Sequence, residues 1–373
     1  MSTQRYESFF KSLLYHAEIE VNGRNPWDIQ VYDNRFYKRA ITEVELGMGE
    51  TYMDGWWDVM SLDEMIHRIF RADLPNKVRR NLKVAFQLAG YWLLNMQSKS
   101  KAFLIGQRHY DLGNDLFVNM LDERMNYSCA YWKDAVDLND AQEKKLELIC
   151  RKLYLQPGMR VLDVGCGWGA FGKYAAEHYG VEVTGITVSK EQAALGKELC
   201  NGLAVEFRLQ DYRDVDEKFD RIVSVGMIEH VGYKNYSDYF KVIRKNLKDD
   251  GLFLLHTIGS VVSVKSPNAW THKYIFPNGM VPSIYQLAKS SEGLFVIEDL
   301  HNFGDYYDKT LMAWYDNFDK NWSKLKVQYN ERFYKMWKFY LLSSAGLFRA
   351  RNGQLWQIIL SKNGILGGYN SIR

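Results

Sequence analysis

Cysteine is scarce and unpatterned in this 373-residue chain: Cys129, Cys150, Cys166 and Cys200 form no C-x-x-C pair. That spacing points to neither a zinc site nor a disulfide framework, so a reducing cytoplasm is the expected setting. An excess of one charge is also missing. The formal net charge of +3 is too small to imply a nucleic-acid partner, and none is expected. No apolar run is long enough to cross a bilayer. The longest uncharged stretch, 84–97, contains Gln87 and Asn95 and falls short of the ~20 residues that a spanning helix needs. The opening MSTQRYESFF lacks the apolar core of a signal peptide. Any membrane contact is therefore expected to be peripheral. Internal repeats and low-complexity segments are absent as well.

What is abundant is aromatic: Phe, Trp and Tyr reach 15% of the chain, and aromatic faces can line a lipid or cation pocket. The length allows two or three domains with a large core. The organising stretch is 159–179, MRVLDVGCGWGAFGKYAAEHY. Residues 160–164 form a short apolar run before a glycine turn, the pattern of a buried parallel strand. Gly165, Gly167 and Gly169 follow at alternate positions, and Phe171, Tyr174 and Ala175 then recur at helical spacing. A strand–glycine turn–helix unit lets a ligand approach the backbone with no Cβ in the way. The spacing is G-x-G-x-G, not G-x-G-x-x-G, and no Gly-Lys-Ser/Thr follows, which argues against a phosphate-cradling loop and weakens a dinucleotide reading. The turn resembles motif I of S-adenosylmethionine-dependent methyltransferases, although a tight turn with no ligand would read the same way.

In chain order, residues 1–93 are expected to form a smaller, mainly helical N-terminal domain, 94–101 a linker, and 102–373 the larger domain. Helices are expected at 6–16, 61–70 with Ser61 and Glu64 as its capping pair, and from Pro75 onward. The segment 46–57, rich in glycine and aromatics, reads as a structured loop, and 19–21 as a short strand. The helix from Pro75 opens with Lys77, Arg79, Arg80 and Lys83 ahead of an aromatic, apolar face. That suits an interfacial helix on an anionic bilayer and equally a core helix with a solvated basic end. A helix over 140–154 is expected to open on Asp140 and Glu143. Beyond the glycine turn, strand patterns at 181–188, 205–209, 220–225, 252–256, 295–300 and 355–361 alternate with helical ones, which predicts a doubly wound, mostly parallel α/β sheet. Ligands in such sheets bind at the carboxyl ends of the strands, near the switch point.

Candidate chemistry follows those strand ends. Thr187, Ser189 and Gln192 follow the second strand, where this chain has no acid for a ribose; Ser189 also serves as a helix cap. Gln210 and Asp211 follow the third strand and suit either an adenine contact or an Asp-led turn. Glu229 and His230 follow the fourth. A glutamate there faces the cleft and is seldom buried without a purpose, whereas His230 reads as a satisfied core histidine. His256 ends the fifth strand and would share the cleft with Glu229. Tyr306, Tyr307, Trp314 and Tyr315 form an aromatic cluster that sequence logic leaves open between core and function.

The ordered motifs YMDGWW, HYDLGNDLF, YSCAYW, VLDVGCGWG, LQDYRD, RIVSVGMIEHVG, LLHTIGS, KYIFPNG, TLMAWY and FRARNGQLWQ together resemble the cyclopropane-fatty-acyl-phospholipid and mycolic acid cyclopropane synthases. The resemblance runs from about Tyr6 to the C-terminus and matches the longer bacterial form. It implies a Rossmann-like class I methyltransferase domain that moves a methyl group from S-adenosylmethionine to a cis double bond of a phospholipid acyl chain. The implied course has a carbocation intermediate and a bound bicarbonate that removes a proton as the ring closes. By resemblance, Cys129, Glu229, His256, the Ile258 backbone and Tyr307 form the bicarbonate site. Tyr307 is preferred to Tyr306 because it matches the family tyrosine ahead of Trp314. Tyr127, Ser128, Gly165, Gly167, Trp168, Thr187, Gln192, Gln210 and Asp211 are the implied cofactor contacts. Unsaturated phospholipid met at the inner membrane surface and a homodimer are the implied partners, and no metal is expected.

Overall fold

A computed structural model describes residues 3–79 and 113–373. They fall into two compact units: the first comprises described residues 3–79, 266–277 and 307–353, the second residues 113–265, 278–306 and 354–373.

The second unit is built on a seven-stranded sheet. A two-stranded ribbon in the first unit supplies β1 (Gln30–Val31) and β2 (Trp57–Asp58). The sheet strands are then β3 (Arg160–Val164), β4 (Glu182–Thr187), β5 (Val205–Leu209), β6 (Phe219–Val225), β7 (Leu247–Ser260), β8 (Val296–Asn302) and β9 (Gly353–Ser361). Their spatial order is β5-β4-β3-β6-β7-β9-β8. The pairs β4–β5, β3–β4, β3–β6 and β6–β7 are parallel, and β8–β9 is antiparallel. The chain winds outward from β3 to β5, then returns to lay β6 on the other side of β3. The switch point is therefore at the carboxyl ends of β3 and β6.

Period-two alternation along the strands explains the layering. Val161, Val183, Val223, Leu252 and Leu254 share one core with Phe171, Tyr174 and Ala175 of helix Ala170–Tyr179, and with Leu146, Ile149 and Leu153. Their alternate neighbours Leu162, Val164, Ile186, Ile222, Phe253 and Leu255 pack with Tyr236, Tyr239, Phe240 and Ile243 of helix Tyr236–Asn246. Both faces are covered, as a parallel sheet requires.

Several local expectations change. The helix expected over 140–154 spans Leu138–Lys152 and is capped by Asp137, whose carboxylate accepts from the Asp140 amide at 2.9 Å. Ser61 sits at the N-cap of helix Leu62–Arg71 but makes no side-chain cap bond, and Glu64 pairs with Arg68 instead. The 19–21 strand reduces to a single bridge, Val21 to Ile29. The 46–57 segment is not a loop: it contains helix Glu45–Met53 and then β2. Its glycines serve packing. A Cβ on Gly49 would lie 2.3 Å from the Trp270 ring, and one on Gly47 would lie 2.2 Å from the Arg39 carbonyl.

The N-terminal residues also share their compact unit with later chain. Helix Glu331–Arg349 crosses helix Leu62–Arg71 so closely that a Cβ on Gly346 would sit 2.3 Å from the Asp63 carbonyl. Arg349 then ties Asp63 and Asp308 together. Of the basic helix, only Leu74–Arg79 is described, and the linker at 94–101 lies outside the described residues.

Candidate functional site

The glycine turn between β3 and helix Ala170–Tyr179 carries Gly165, Gly167 and Gly169 at φ +83°, +56° and +88°. This is left-handed backbone that side chains resist. At Gly169 a Cβ would also strike the Phe207 ring at 2.3 Å, whereas around Gly167 there is no atom within 4 Å of where one would stand. One glycine packs the turn down, and the other leaves open space above it.

That space is a cavity at the switch point, bounded by Val164 and Gly165 after β3, Val225 and Gly226 after β6, and Ile186 after β4. Tyr127, Ser128, Gly165, Gly167, Trp168, Thr187, Gln192, Gln210 and Asp211 all line it. Their polar groups are largely paired with one another. The Thr187 hydroxyl donates to Gln192 Oε1 at 2.8 Å, and Ser189 caps its helix by accepting from the Gln192 amide at 3.3 Å. Asp211 accepts from the Arg213 guanidinium at 2.7 Å through both oxygens. Trp168 donates to Asn114 at 3.0 Å, and its ring lies 4.9 Å from Phe117, which also meets Tyr127.

Under the cavity is a buried lysine that the periodicity hid. Lys145 donates to Asn126 Oδ1 at 2.7 Å and to Ser128 Oγ at 2.9 Å, with Asp122 and Asp163 near it. Asn126 donates in turn to Asp122 at 2.8 Å. Burial disfavours charge on either side of this group, driving Lys145 down to about 8 and Asp163 up to about 7.

Next to the cavity, short turn Ile228–His230 follows β6 and carries Glu229 beside β7. Glu229 Oε1 accepts from the Ile258 amide at 2.8 Å. The amide that the resemblance offered to an anion is thus committed to the carboxylate. Burial raises the Glu229 carboxyl to about 7. Two residues before Ile258, buried His256 is held well below its ordinary value by burial and by Lys145 and Lys152, so its ring is neutral. Its Nδ1 faces Gln357 Nε2 at 3.3 Å. Among the described residues, buried Glu229 Oε2 and His256 Nε2 make no hydrogen bond of good geometry, and the Thr257 hydroxyl also lies close to the Glu229 carboxyl. His230 is buried too and lines the cavity.

Cys129 is fully buried directly after Ser128, and its thiol donates to the Ala130 carbonyl at 3.3 Å. Tyr131, two residues on, meets Phe303, which packs edge-on against His256. Tyr307 belongs to the first unit, where its ring packs 4.6 Å from Phe348 and 6.0 Å from Trp314. Among the described residues no cluster of His, Cys, Asp and Glu could hold a metal ion.

The profile described as mycolic acid cyclopropane synthetase matches residues 97–358. Over 350 residues, 94% of this chain and 92% of the relative, the sequence is 53% identical to cyclopropane-fatty-acyl-phospholipid synthase of Escherichia coli strain K12. The chain belongs to the mycolic acid cyclopropane synthetase family. Its fold agrees with that membership. The cyclopropane synthase MmaA2 from Mycobacterium tuberculosis superposes with a TM-score of 0.66 at 32% identity, covering 72% of this chain and 100% of that one. Mycolic acid cyclopropane synthase CmaA1, solved with SAH and CTAB, gives 0.66 at 35% identity, over 70% and 98%. As a family member with the class I fold, the protein is an enzyme of the S-adenosylmethionine-dependent methyltransferase class.

Reading the sequence alone missed Lys145, Asn126, Lys152 and Gln357 in this cyclopropane synthetase fold. The signal for the lysines was there. Both lie on the apolar face of helix Leu138–Lys152, among Leu146, Ile149 and Cys150, where an ammonium group has no place without partners.

Proposed function

We propose that the protein transfers a methylene unit from S-adenosylmethionine to the cis double bond of an unsaturated phospholipid acyl chain, closing a cyclopropane ring. The observation that carries this reading is the pair of buried groups lacking a hydrogen bond of good geometry, Glu229 Oε2 on the turn after β6 and His256 Nε2 in β7, close to a cavity whose own polar groups are largely paired. Buried polar atoms without partners are costly, so a site that keeps two of them fits a small polar ligand.

The cavity fits the donor. Open space over Gly167 admits a ligand against the backbone, Gln210 and Asp211 suit an adenine edge, and Thr187 with Gln192 suits a ribose. Bound there, the donor supplies an electrophilic sulfonium methyl. An alkene is a weak nucleophile, so the chain's task is to hold it in line and keep water away. Aromatic faces, Tyr131 and Phe303 beside His256 among them, tolerate positive charge on the acyl carbon without trapping it.

Bicarbonate fits the corner. His256 Nε2 and a protonated Glu229 offer donors, and Cys129 joins them in our assignment; Tyr307, in the first unit, is assigned by resemblance alone. Bound there, bicarbonate supplies a base for the proton lost as the ring closes. The lipid is met from the cytoplasmic face of the inner membrane, by a homodimer bound peripherally; no helix among the described residues is long and apolar enough to cross a membrane.

The test is a product assay. Purified protein, S-adenosylmethionine and vesicles of unsaturated phospholipid should yield acyl chains heavier by one methylene, with cyclopropyl proton signals and no double bond. Methyl-branched or methylene-bearing chains, or no consumption of the donor, would overturn the reading.

A further inference from the structure

Gln357, the last residue of the FRARNGQLWQ motif, stands in β9 with no solvent exposure. A glutamine carries one acceptor and one donor group, so a buried one needs a partner of each kind. Gln357 has both. Its Oε1 accepts from Lys152 Nζ at 2.9 Å, and its Nε2 faces His256 Nδ1 at 3.3 Å.

The chemistry of the partners fixes the direction of this chain. Burial lowers Lys152 to about 7, and as an ammonium it has donors only, so in that form the amide oxygen faces Lys152 and the nitrogen faces His256. An amide nitrogen can only donate, so His256 Nδ1 must accept. The one proton of the neutral ring then lies on Nε2, the atom left without a partner among the described residues. Lys152 is itself held in place: its Nζ also meets His301 Nδ1 at 3.0 Å, and its backbone carbonyl accepts from the Tyr369 hydroxyl at 2.9 Å.

We propose that Gln357, clamped by Lys152, is a positioning residue that locks His256 in its Nε2–H form, so that the histidine presents a hydrogen-bond donor on the side of the ring away from Gln357. This rests on the reading above that His256 faces the reacting centre. A donor there holds an anionic oxygen, whereas the opposite tautomer would present a lone pair to that oxygen. A neutral ring also adds no positive charge where the acyl chain becomes cationic. The wrong histidine tautomer disables other sites even when their geometry survives.

Full-length protein labelled with 15N-histidine tests this by NMR, with His256→Asn used to assign the signal. Wild type should show Nε2 protonated and Nδ1 bare. In Gln357→Glu the carboxylate needs a donor from the ring, so the tautomer should flip to Nδ1–H. kcat should then fall ~10- to 100-fold, as for other groups that orient an imidazole, while KM for S-adenosylmethionine stays within about threefold. Should that variant fail to fold, Lys152→Met frees the amide to turn over and should give a mixture of tautomers. Nδ1–H in wild type would overturn the proposal, as would a flipped tautomer with unchanged kcat. The tautomer is read without turnover, so its failure is distinct from failure of the product assay.

Discussion

Two corners of the same sheet treat their buried polar groups in opposite ways. Around the glycine turn, Thr187 is bonded to Gln192, Asp211 to Arg213, and Ser128 to Lys145. Glu229, on the turn after β6, keeps one oxygen without a good hydrogen bond. His256, which lies inside β7 and does not end its strand as expected, keeps one nitrogen without one. The first corner is a finished receptacle whose shape does not depend on a ligand. The second leaves polar atoms that a small polar ligand would satisfy, as the proposed site requires. Binding sites are commonly preformed, and groups poised for chemistry are where a fold tolerates strain and unmet polarity.

Glu229→Gln breaks the contrast most strongly. The variant keeps the shape and can still accept from the Ile258 amide, but it removes the acid. Turnover should fall by ~100-fold or more, while S-adenosylmethionine binding measured by calorimetry stays near the wild-type value. Stability should move the other way. The folded Glu229 holds its proton up to about 7, against an ordinary 4.5, so its contribution is fully present below pH 4.5 and is lost as the pH rises through 7. The glutamine has no such loss, so its melting temperature should exceed that of wild type at pH 8 and match it near pH 4.5. Full turnover in the variant would remove Glu229 from the reaction.

Lys145→Met sharpens the comparison from the other side. Methionine fills the same space but leaves Asp122, Asp163 and Asn126 without their cation. Removing one partner from a buried charged group typically costs ~3 kcal/mol or more. We expect a loss of that size in urea unfolding at pH 7.5, between the values of Asp163 and Lys145. It should shrink toward pH 5, because Asp163, with its carboxyl at about 7, is protonated there and no longer needs the lysine. Unchanged stability at pH 7.5 would mean that the lysine does not hold these carboxylates in place.

The two corners also differ in how openly the sequence announced them. The glycine turn and the alternation of strands were legible because both are local: each depends on residues within a few positions of one another. The residues expected at the strand ends, Thr187, Gln192, Gln210 and Asp211 among them, do line one cavity. Glu229 and His256 were placed together by strand logic, while Cys129, Tyr307 and bicarbonate entered by family resemblance alone. Lys152 and Gln357 could not be paired, since 205 positions separate them and only the closing of β9 onto the sheet brings them together. The helix Glu45–Met53 was read as a loop because its glycines look like turn residues, although they make room for Trp270 and the Arg39 carbonyl. Local rules identify a glycine as special but do not say what approaches it.

The smallest effect belongs to Thr187→Val, which is nearly isosteric. It removes the hydroxyl that donates to Gln192 Oε1 and accepts from the Ser189 amide at 3.2 Å. In a finished receptacle such a loss costs about one ordinary hydrogen bond, ~1 kcal/mol of stability. The rest of the cavity stays as it was, so S-adenosylmethionine affinity should weaken by no more than ~10-fold and kcat should be almost untouched. A large fall in kcat with affinity preserved would show that the glycine-turn corner takes part in the chemical step, and the division of labour between the two corners would have to be redrawn.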